Sequence, residues 1–183
     1  MRPPFTIVAA ALVLGAAAQP ACAQLMASEA GSVSQTIDGT KISVDYSRPR
    51  ARGRTGLFGT RIHWGEVWTP GANAATTLSL SKDATINGTA VSKGKYSVWL
   101  VVSRGDWDMV LDRDTMLFHT QGPKVRPGQV RFPVRREAKP FLEALTWWFP
   151  EVGATGATLA MQWDTVYVPL RIAVPASYTR TVS

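Results

Sequence analysis

The stretch that decides the fold runs from residue 75 to residue 114 and reads ATTLSLSKDATINGTAVSKGKYSVWLVVSRGDWDMVLDRD. Its short runs alternate in hydrophobicity, with successive side chains on opposite faces, as is typical of β-strands. Tyr96 follows Gly94 by two residues at a strand start, a spacing that suits a tyrosine corner. Glycine-containing pairs that favour tight hairpin turns separate the runs at Asn87-Gly88, Lys93-Gly94 and Arg104-Gly105.

The same pattern continues on both sides of this stretch. Alternation predicts strands at 32–37 and 40–47, joined by the turn pair Asp38-Gly39. Further strands are predicted as a short edge strand at QVRFPV (129–134), a strand at FLEALTWWF (141–149), and one long bent or two paired strands at 157–174. Residues 113–129 are irregular, and no amphipathic helix of three turns is evident. We therefore predict an all-β fold, an antiparallel β-sandwich of Greek-key or jelly-roll type, with a small barrel as the alternative.

The N-terminal residues have the pattern of an export signal. Residues 1–23 combine Arg2, an apolar run and a small-residue cleavage site, so we predict a signal peptide cleaved after Ala23 and a periplasmic or secreted protein. A lipoprotein modified at Cys22 is the less favoured alternative. We assign 24–31 to a flexible N-terminal segment, 32–176 to a single β-sandwich domain and 177–183 to a C-terminal tail. No later apolar run predicts a transmembrane segment.

Charge and cysteine content narrow the function classes. The 183-residue chain has a formal net charge of +7, which falls to +6 when the predicted signal peptide, with Arg2 as its one charged residue, is removed. A basic surface favours small polar or anionic partners, including cell-envelope glycans, whereas an exported chain without a lysine run does not predict nucleic-acid binding. Loss of Cys22, the only cysteine, excludes a disulfide and a thiol nucleophile. The sequence does not predict the oligomeric state.

Three stretches resemble a known family: DYSRPRARGR (45–54), GEVWTPGANAATTLSLSKD (65–83) and GKYSVW (94–99). Together, over roughly residues 32–112, the chain resembles the secreted bacterial proteins of the domain-of-unknown-function family DUF2911. The resemblance implies an exported all-β domain and no assigned reaction. Thr69 stands where many relatives look to have an arginine, so the resemblance gives no support to an anion-binding role at that position.

The long segment 48–73 is the candidate ligand-binding loop. Its arginines offer forked donors for carboxylate or phosphate, its glycines allow close backbone approach, and its tryptophans could stack on a sugar. We predict a pocket for a small polar or anionic ligand formed by Arg48, Arg54, Trp64, Trp68 and Asn73. In the alternative interpretation the arginines of the segment (Arg48, Arg52, Arg54 and Arg61) form structural ion pairs with Asp45, Glu66 and Asp83.

Two other functions stay open. His63 and Glu66 lie three residues apart and are the candidate base and acid of a hydrolase or isomerase, although no nucleophile motif accompanies them. An envelope scaffold could pair through the edge strand at QVRFPV. We predict no cofactor and no metal site, because Asp112, Asp114 and His119 lack the spacing of a zinc or calcium site and are interpreted as solvated turn residues.

Overall fold

The computed structural model describes residues 28–176, and it confirms the all-β prediction. Eleven strands form two antiparallel sheets without closing into a barrel, so the sandwich is observed and not the barrel. The predicted signal peptide, Cys22, residues 24–27 and the tail at 177–183 lie outside the described residues. The strands are β1 Glu29–Ile37, β2 Thr40–Arg48, β3 Val67–Trp68, β4 Thr77–Leu80, β5 Ala84–Ile86, β6 Thr89–Val91, β7 Gly94–Val101, β8 Trp107–Asp112, β9 Val130–Val134, β10 Glu137–Val152 and β11 Gly156–Ala173.

The large sheet has the strand order β1-β2-β4-β7-β8-β9, with β3 also paired to β7. The β1–β2 hairpin turns at Asp38 and Gly39, which both adopt positive φ, in agreement with the turn predicted there. β1 begins at Glu29, so residues 29–31 of the predicted N-terminal segment pair with residues 46–48 of β2. β9 is an edge strand, and its Pro133 is tolerated because only β8 pairs with it.

The small sheet has the order β10-β11-β5-β6. β11 is one continuous strand of 18 residues, so one long bent strand is observed at this end of the chain and not two paired strands. Asp164 interrupts its regularity with a φ of 55°, and the pairing of β10 with β11 shifts register on both sides of it. An irregularity of this kind bends a strand. The alternation of buried and less buried side chains along β11 is shifted by one position after Asp164.

The main core lies between the two sheets and contains the apolar faces of β2, β7, β8 and β11. Trp163 belongs to this core, whereas Trp99 lies in a smaller buried cluster with Ala75 and Val110. The hydroxyl of Tyr96 donates to the carbonyl oxygen of Ser92 at 2.6 Å, which is the predicted tyrosine-corner contact. Within residues 28–176 the structure contains no helix long and apolar enough to span a membrane.

Candidate functional site

The two arginines predicted to bind a ligand from segment 48–73 are held by the protein itself. Arg48 donates from Nε to the carbonyl oxygen of Leu145 at 3.3 Å and from its guanidinium to Thr146 Oγ1 at 3.0 Å. Arg54 donates from Nε to the carbonyl oxygen of Ala51 at 2.7 Å. The contacts of Arg48 attach the loop to β10, and the contact of Arg54 closes the turn at residues 51–54.

The acidic residues considered as partners for these arginines are engaged elsewhere. Asp45 lies 3.9 Å from Lys95 Nζ, and Asp83 accepts the backbone N–H of Lys93 at 2.7 Å. Glu66 accepts a backbone N–H within its own turn. Arg48 and Arg54 therefore use carbonyl and hydroxyl oxygens as acceptors, and the predicted structural ion pairs of the loop arginines are not observed among residues 28–176.

The two tryptophans of the loop have different environments. Trp68 is 8% exposed and stacks on Trp163 at a centroid distance of 6.1 Å, with Phe58 against it edge to face. Trp64 is half-buried, and the guanidinium groups of Arg104 and Arg136 lie 5.7 and 6.0 Å from its ring centroid. Trp68 therefore fills the core, whereas the ring of Trp64 remains partly accessible beside two cations.

Asn73 has a structural set of contacts. Its φ is 61°, and its side-chain amide donates to the carbonyl oxygen of Ser28 and to Ser47 Oγ. Its carbonyl oxygen accepts the backbone N–H of His119 at 2.8 Å and lies 3.0 Å from His119 Nδ1. Among residues 28–176, no hydrogen bond, ion pair or ring contact joins any two of the five predicted ligand-binding residues.

His63 and Glu66 form a turn and not an acid–base pair. The backbone N–H of His63 donates to Glu66 Oε2 at 2.8 Å, and the backbone N–H of Glu66 donates to the carbonyl oxygen of His63 at 3.1 Å. Both side chains are exposed. The carboxylate is therefore bound to the backbone, and no described contact links it to the imidazole ring.

Asp112 is not a solvated turn residue, so that interpretation is wrong. Its carboxylate is fully buried at the end of β8 and accepts from the Arg126 guanidinium, from Gln129 Nε2 at 2.6 Å and from the backbone N–H of Asp114 at 2.7 Å. Burial acts to raise the pKa of Asp112, but these donors outweigh it and hold the pKa below its usual value. Asp112 and Arg126 thus attach the irregular segment 113–129 to the large sheet.

Residues 28–176 contain no group of three or more His, Cys, Asp or Glu side chains that could hold a metal ion.

Two carboxylates of the small sheet dock the loop that precedes β3. Glu143 accepts the backbone N–H of Arg52 at 2.6 Å, and Asp164 accepts the backbone N–H of Leu57 at 2.8 Å. Asp164 is 1% exposed, and its Oδ1 has no hydrogen-bond partner among the described residues. The loop is therefore fixed through backbone N–H groups that would otherwise be unpaired.

A basic cleft of about 760 Å³ opens where the chain crosses from the large sheet to the small one. Arg135 and Arg136 form the two-residue link between β9 and β10, and Arg171 lies near the end of β11. The residues lining this cleft are Asn87, Gly88, Pro133, Arg135, Arg136, Glu137, Pro169 and Arg171. Three arginines therefore line a cleft that has one carboxylate.

The charges of the basic cleft are only partly compensated. The carboxylate of the cleft, Glu137, forms an ion pair at 3.5 Å with Nζ of Lys139, a residue that does not line the cleft. Within residues 28–176 neither Arg135 nor Arg171 takes part in an ion pair. Arg136 donates to the carbonyl oxygens of residues 104 and 105, which are neutral acceptors. The basic cleft therefore retains a positive field.

Asn87 fixes the backbone of Arg171 on both sides. The N–H of Asn87 donates to the carbonyl oxygen of Arg171, and the N–H of Arg171 donates to Asn87 Oδ1, both at 2.8 Å. The predicted Asn87-Gly88 turn is observed, with both residues at positive φ. This turn therefore joins β5 to β6 and also positions the backbone of Arg171.

Sequence reasoning did not identify the basic cleft. The adjacent pair Arg135-Arg136 directly after an edge strand was a signal that two cations lie at a crossover between sheets. Nothing in the sequence indicated that Arg171 lies near Arg135 and Arg136, because its position depends on the path of β11 and on the pairing of β11 with β5. Trp64, predicted as a ligand platform, contacts the basic cleft through Arg136.

Comparison with curated proteins and with solved structures gives no match to this chain. One family model matches residues 28–172, which is most of the chain and extends well beyond residue 112, where the resemblance seen in the sequence ends. The match includes both sheets and every strand from β1 to β10. The chain therefore belongs to the family described as "Protein of unknown function (DUF2911)".

Proposed function

We propose that this protein is a non-catalytic binding protein for a small anionic ligand, a molecule with a phosphate or carboxylate group that occupies the basic cleft. The observation that carries the proposal is that three arginines and a single carboxylate residue line a cleft of about 760 Å³. That volume lies in the range of small-molecule sites. The basic net charge of the chain also favours anion binding, because it raises the local concentration of anions.

The arrangement suits an anion because parts of it are fixed before binding. Arg136 is oriented by two carbonyl acceptors and by the ring of Trp64, and Arg171 is held through its backbone by Asn87. Guanidinium groups present parallel N–H donors that match the two oxygens of a carboxylate or phosphate. Side chains that are already ordered lose less conformational entropy when a ligand binds.

The binding roles first predicted for Arg48, Arg54, Trp68 and Asn73 stay predictions, and their described contacts are with the protein itself. Trp64 keeps a supporting role at the basic cleft. The alternatives of a hydrolase or isomerase that uses His63 and Glu66, and of a scaffold that pairs through β9, also stay predictions, and no described contact favours either.

The test is calorimetric titration of the purified protein with inorganic phosphate and with citrate. We expect binding that weakens as salt is added, because salt screens the attraction between charges. Arg171→Ala should weaken binding about tenfold or more, since a hydrogen bond to a charged group contributes about 1.5–3 kcal/mol.

Arg61→Ala is the matched control for Arg171→Ala. It removes the same charge from an exposed position outside the basic cleft. Its effect on affinity should be less than about twofold, because a single distant charge is largely screened at physiological salt. Equal weakening by both variants would show a diffuse charge effect and contradict a specific site, and the absence of phosphate and citrate binding would remove the proposal.

A further inference from the structure

The hairpin of β10 and β11 folds back on itself at Asp164. A Cβ on Gly156 would lie 2.9 Å from the carbonyl oxygen of Ile172, although 16 positions separate the two residues on one strand. The N–H of Val174 donates to the carbonyl oxygen of Thr155 at 2.9 Å. The two halves of the hairpin therefore lie beside each other.

A groove of about 240 Å³ lies between these two halves. It adjoins the basic cleft, because Glu137, Pro169 and Arg171 line both. Its polar and aromatic lining residues are Glu137, Lys139, Tyr167 and Arg171 from one half of the hairpin, and Glu151 and Thr158 from the other. We call this depression the hairpin groove.

The hairpin groove differs from the basic cleft in its charge. Two carboxylates, Glu137 and Glu151, balance two cations, Lys139 and Arg171. The hydroxyl of Thr158 donates to Glu151 Oε2 at 3.2 Å, so a donor and an acceptor lie side by side. A balanced set of donors and acceptors suits neutral hydroxyl groups better than a second anion.

An aromatic ring borders the same groove. Tyr167 is half-buried on the outward face of β11, and its ring lies 5.6 Å from that of Trp148 at an angle of 50°. Burial raises the pKa of Tyr167, and the charges of Glu137 and Glu151 raise it further, so its hydroxyl stays a hydrogen-bond donor at neutral pH. A half-exposed ring with a polar tip can contact an apolar ligand face while it binds a hydroxyl group.

From this juxtaposition we infer that the ligand is an acidic sugar: a sugar ring seated in the hairpin groove, whose phosphate or carboxylate group lies in the basic cleft. The inference rests on the proposed function and names its ligand class. At about 240 Å³ the hairpin groove is smaller than a typical independent site, so it holds one part of a ligand whose charged part lies next to it. Arg171, which lines both depressions, contacts the ligand at the junction of ring and anion.

The experiment compares inorganic phosphate with a panel of hexose 1-phosphates and hexuronic acids by calorimetry. At least one acidic sugar should bind about tenfold more tightly than phosphate, since it adds the aromatic and hydroxyl contacts. Tyr167→Ala should remove this advantage and leave the affinity for phosphate unchanged. Phe118→Ala is the control, because Phe118 is an exposed aromatic residue outside both depressions.

Glu151→Gln gives a second test on an exposed position that should not affect folding. In an acidic-sugar site it removes a strong acceptor for hydroxyl groups and weakens sugar binding. If the hairpin groove only extended the anion site, the same change would remove a repulsive charge and strengthen binding, which would overturn the inference.

The remaining outcomes separate the inference from the proposed function. Equal affinities for phosphate and for every sugar in the panel, or an advantage that survives Tyr167→Ala, overturn the inference and leave the anion site standing. Loss of phosphate binding in Arg171→Ala with no sugar preference also overturns the inference and supports the anion site. If the wild-type protein binds neither phosphate nor any sugar of the panel, both proposals fail.

Discussion

Replacement of Asp112 by asparagine tests whether the buried carboxylate holds segment 113–129 on the large sheet. In the native protein the carboxylate accepts from Arg126, Gln129 and the backbone of Asp114. An asparagine keeps one oxygen but replaces the other with a donor, which would face the donors of Arg126 and Gln129. At least one side chain must then move away, and a buried polar group loses its partner.

The size of the effect follows from the exposure of the two partners. Removal of one partner from a buried ion pair costs about 3–5 kcal/mol, because the other charge is left unpaired. Here the partner that is left, Arg126, has a side chain that is 45% exposed and can regain water, so we expect the low end, about 3 kcal/mol. For a chain of 183 residues this corresponds to a decrease in Tm of about 6–12 °C.

The assay is urea denaturation of the wild type, Asp112→Asn and the control Asp108→Asn at several pH values. Asp108 is an exposed aspartate on the same strand, so its change should stay within about 0.5 kcal/mol of the wild type. The folded-state pKa of Asp112 is lowered, so its contribution is fully present above the unfolded-state pKa of about 3.9 and is lost as pH falls through the folded-state value. The difference between wild type and Asp112→Asn should therefore be constant from neutral pH to about pH 5 and should narrow in more acidic solution.

Two results would refute this reasoning. A loss of less than about 1 kcal/mol at neutral pH would show that the buried carboxylate contributes little to folding. A difference that stays constant through the acidic range would show that the ionised form of Asp112 is not the form that stabilises the fold.

Substitutions at two further residues test other buried polar contacts. Tyr96→Phe removes the hydroxyl that donates to the carbonyl oxygen of Ser92, and it should cost about 1 kcal/mol in urea denaturation with unchanged circular dichroism. Asp164→Asn keeps an acceptor for the N–H of Leu57 and a residue type that tolerates positive φ, so its free energy of unfolding should stay within about 1 kcal/mol of the wild type. Asp164→Ala, which loses both features, should cost about 2 kcal/mol or more, and equal stability of the two variants would contradict the proposed role of this side chain.

The strands were predictable because their signals are local. Alternation over five to nine residues and a glycine-containing pair fix both the strand and its turn, as in the β1–β2 hairpin and in β7. The tyrosine corner was also predictable, since Tyr96 bonds only four residues back. In β10 the β-branched and aromatic residues correctly favoured a strand over a helix.

The contacts of the 48–73 segment were not predictable because their partners are distant in sequence. Arg48 bonds to residues of β10 that lie 97 and 98 positions away, and Asp164 accepts from the loop across 107 positions. A carbonyl oxygen leaves no mark in a sequence, since every residue has one, so the acceptors of Arg54 could not be identified either. The burial of Asp112 was not predicted because its partners Arg126 and Gln129 lie in a segment without a regular sequence pattern, which gives no indication that it packs on the sheet.

Arginines that cluster in the sequence and arginines that cluster in space are different sets in this protein. In the 48–73 segment, Arg48 and Arg54 donate to backbone carbonyl oxygens and fasten the loop. Arg135 and Arg136 come from the link between β9 and β10 and Arg171 comes from β11, and none of the three forms an ion pair with a described acidic residue. Arg136 already has two carbonyl acceptors and gains less from a ligand than Arg135 and Arg171, which are exposed beside other cations and gain both hydrogen bonds and relief of repulsion. On this argument the proposed binding site follows from which arginines line one cleft and not from where arginines are most frequent in the sequence.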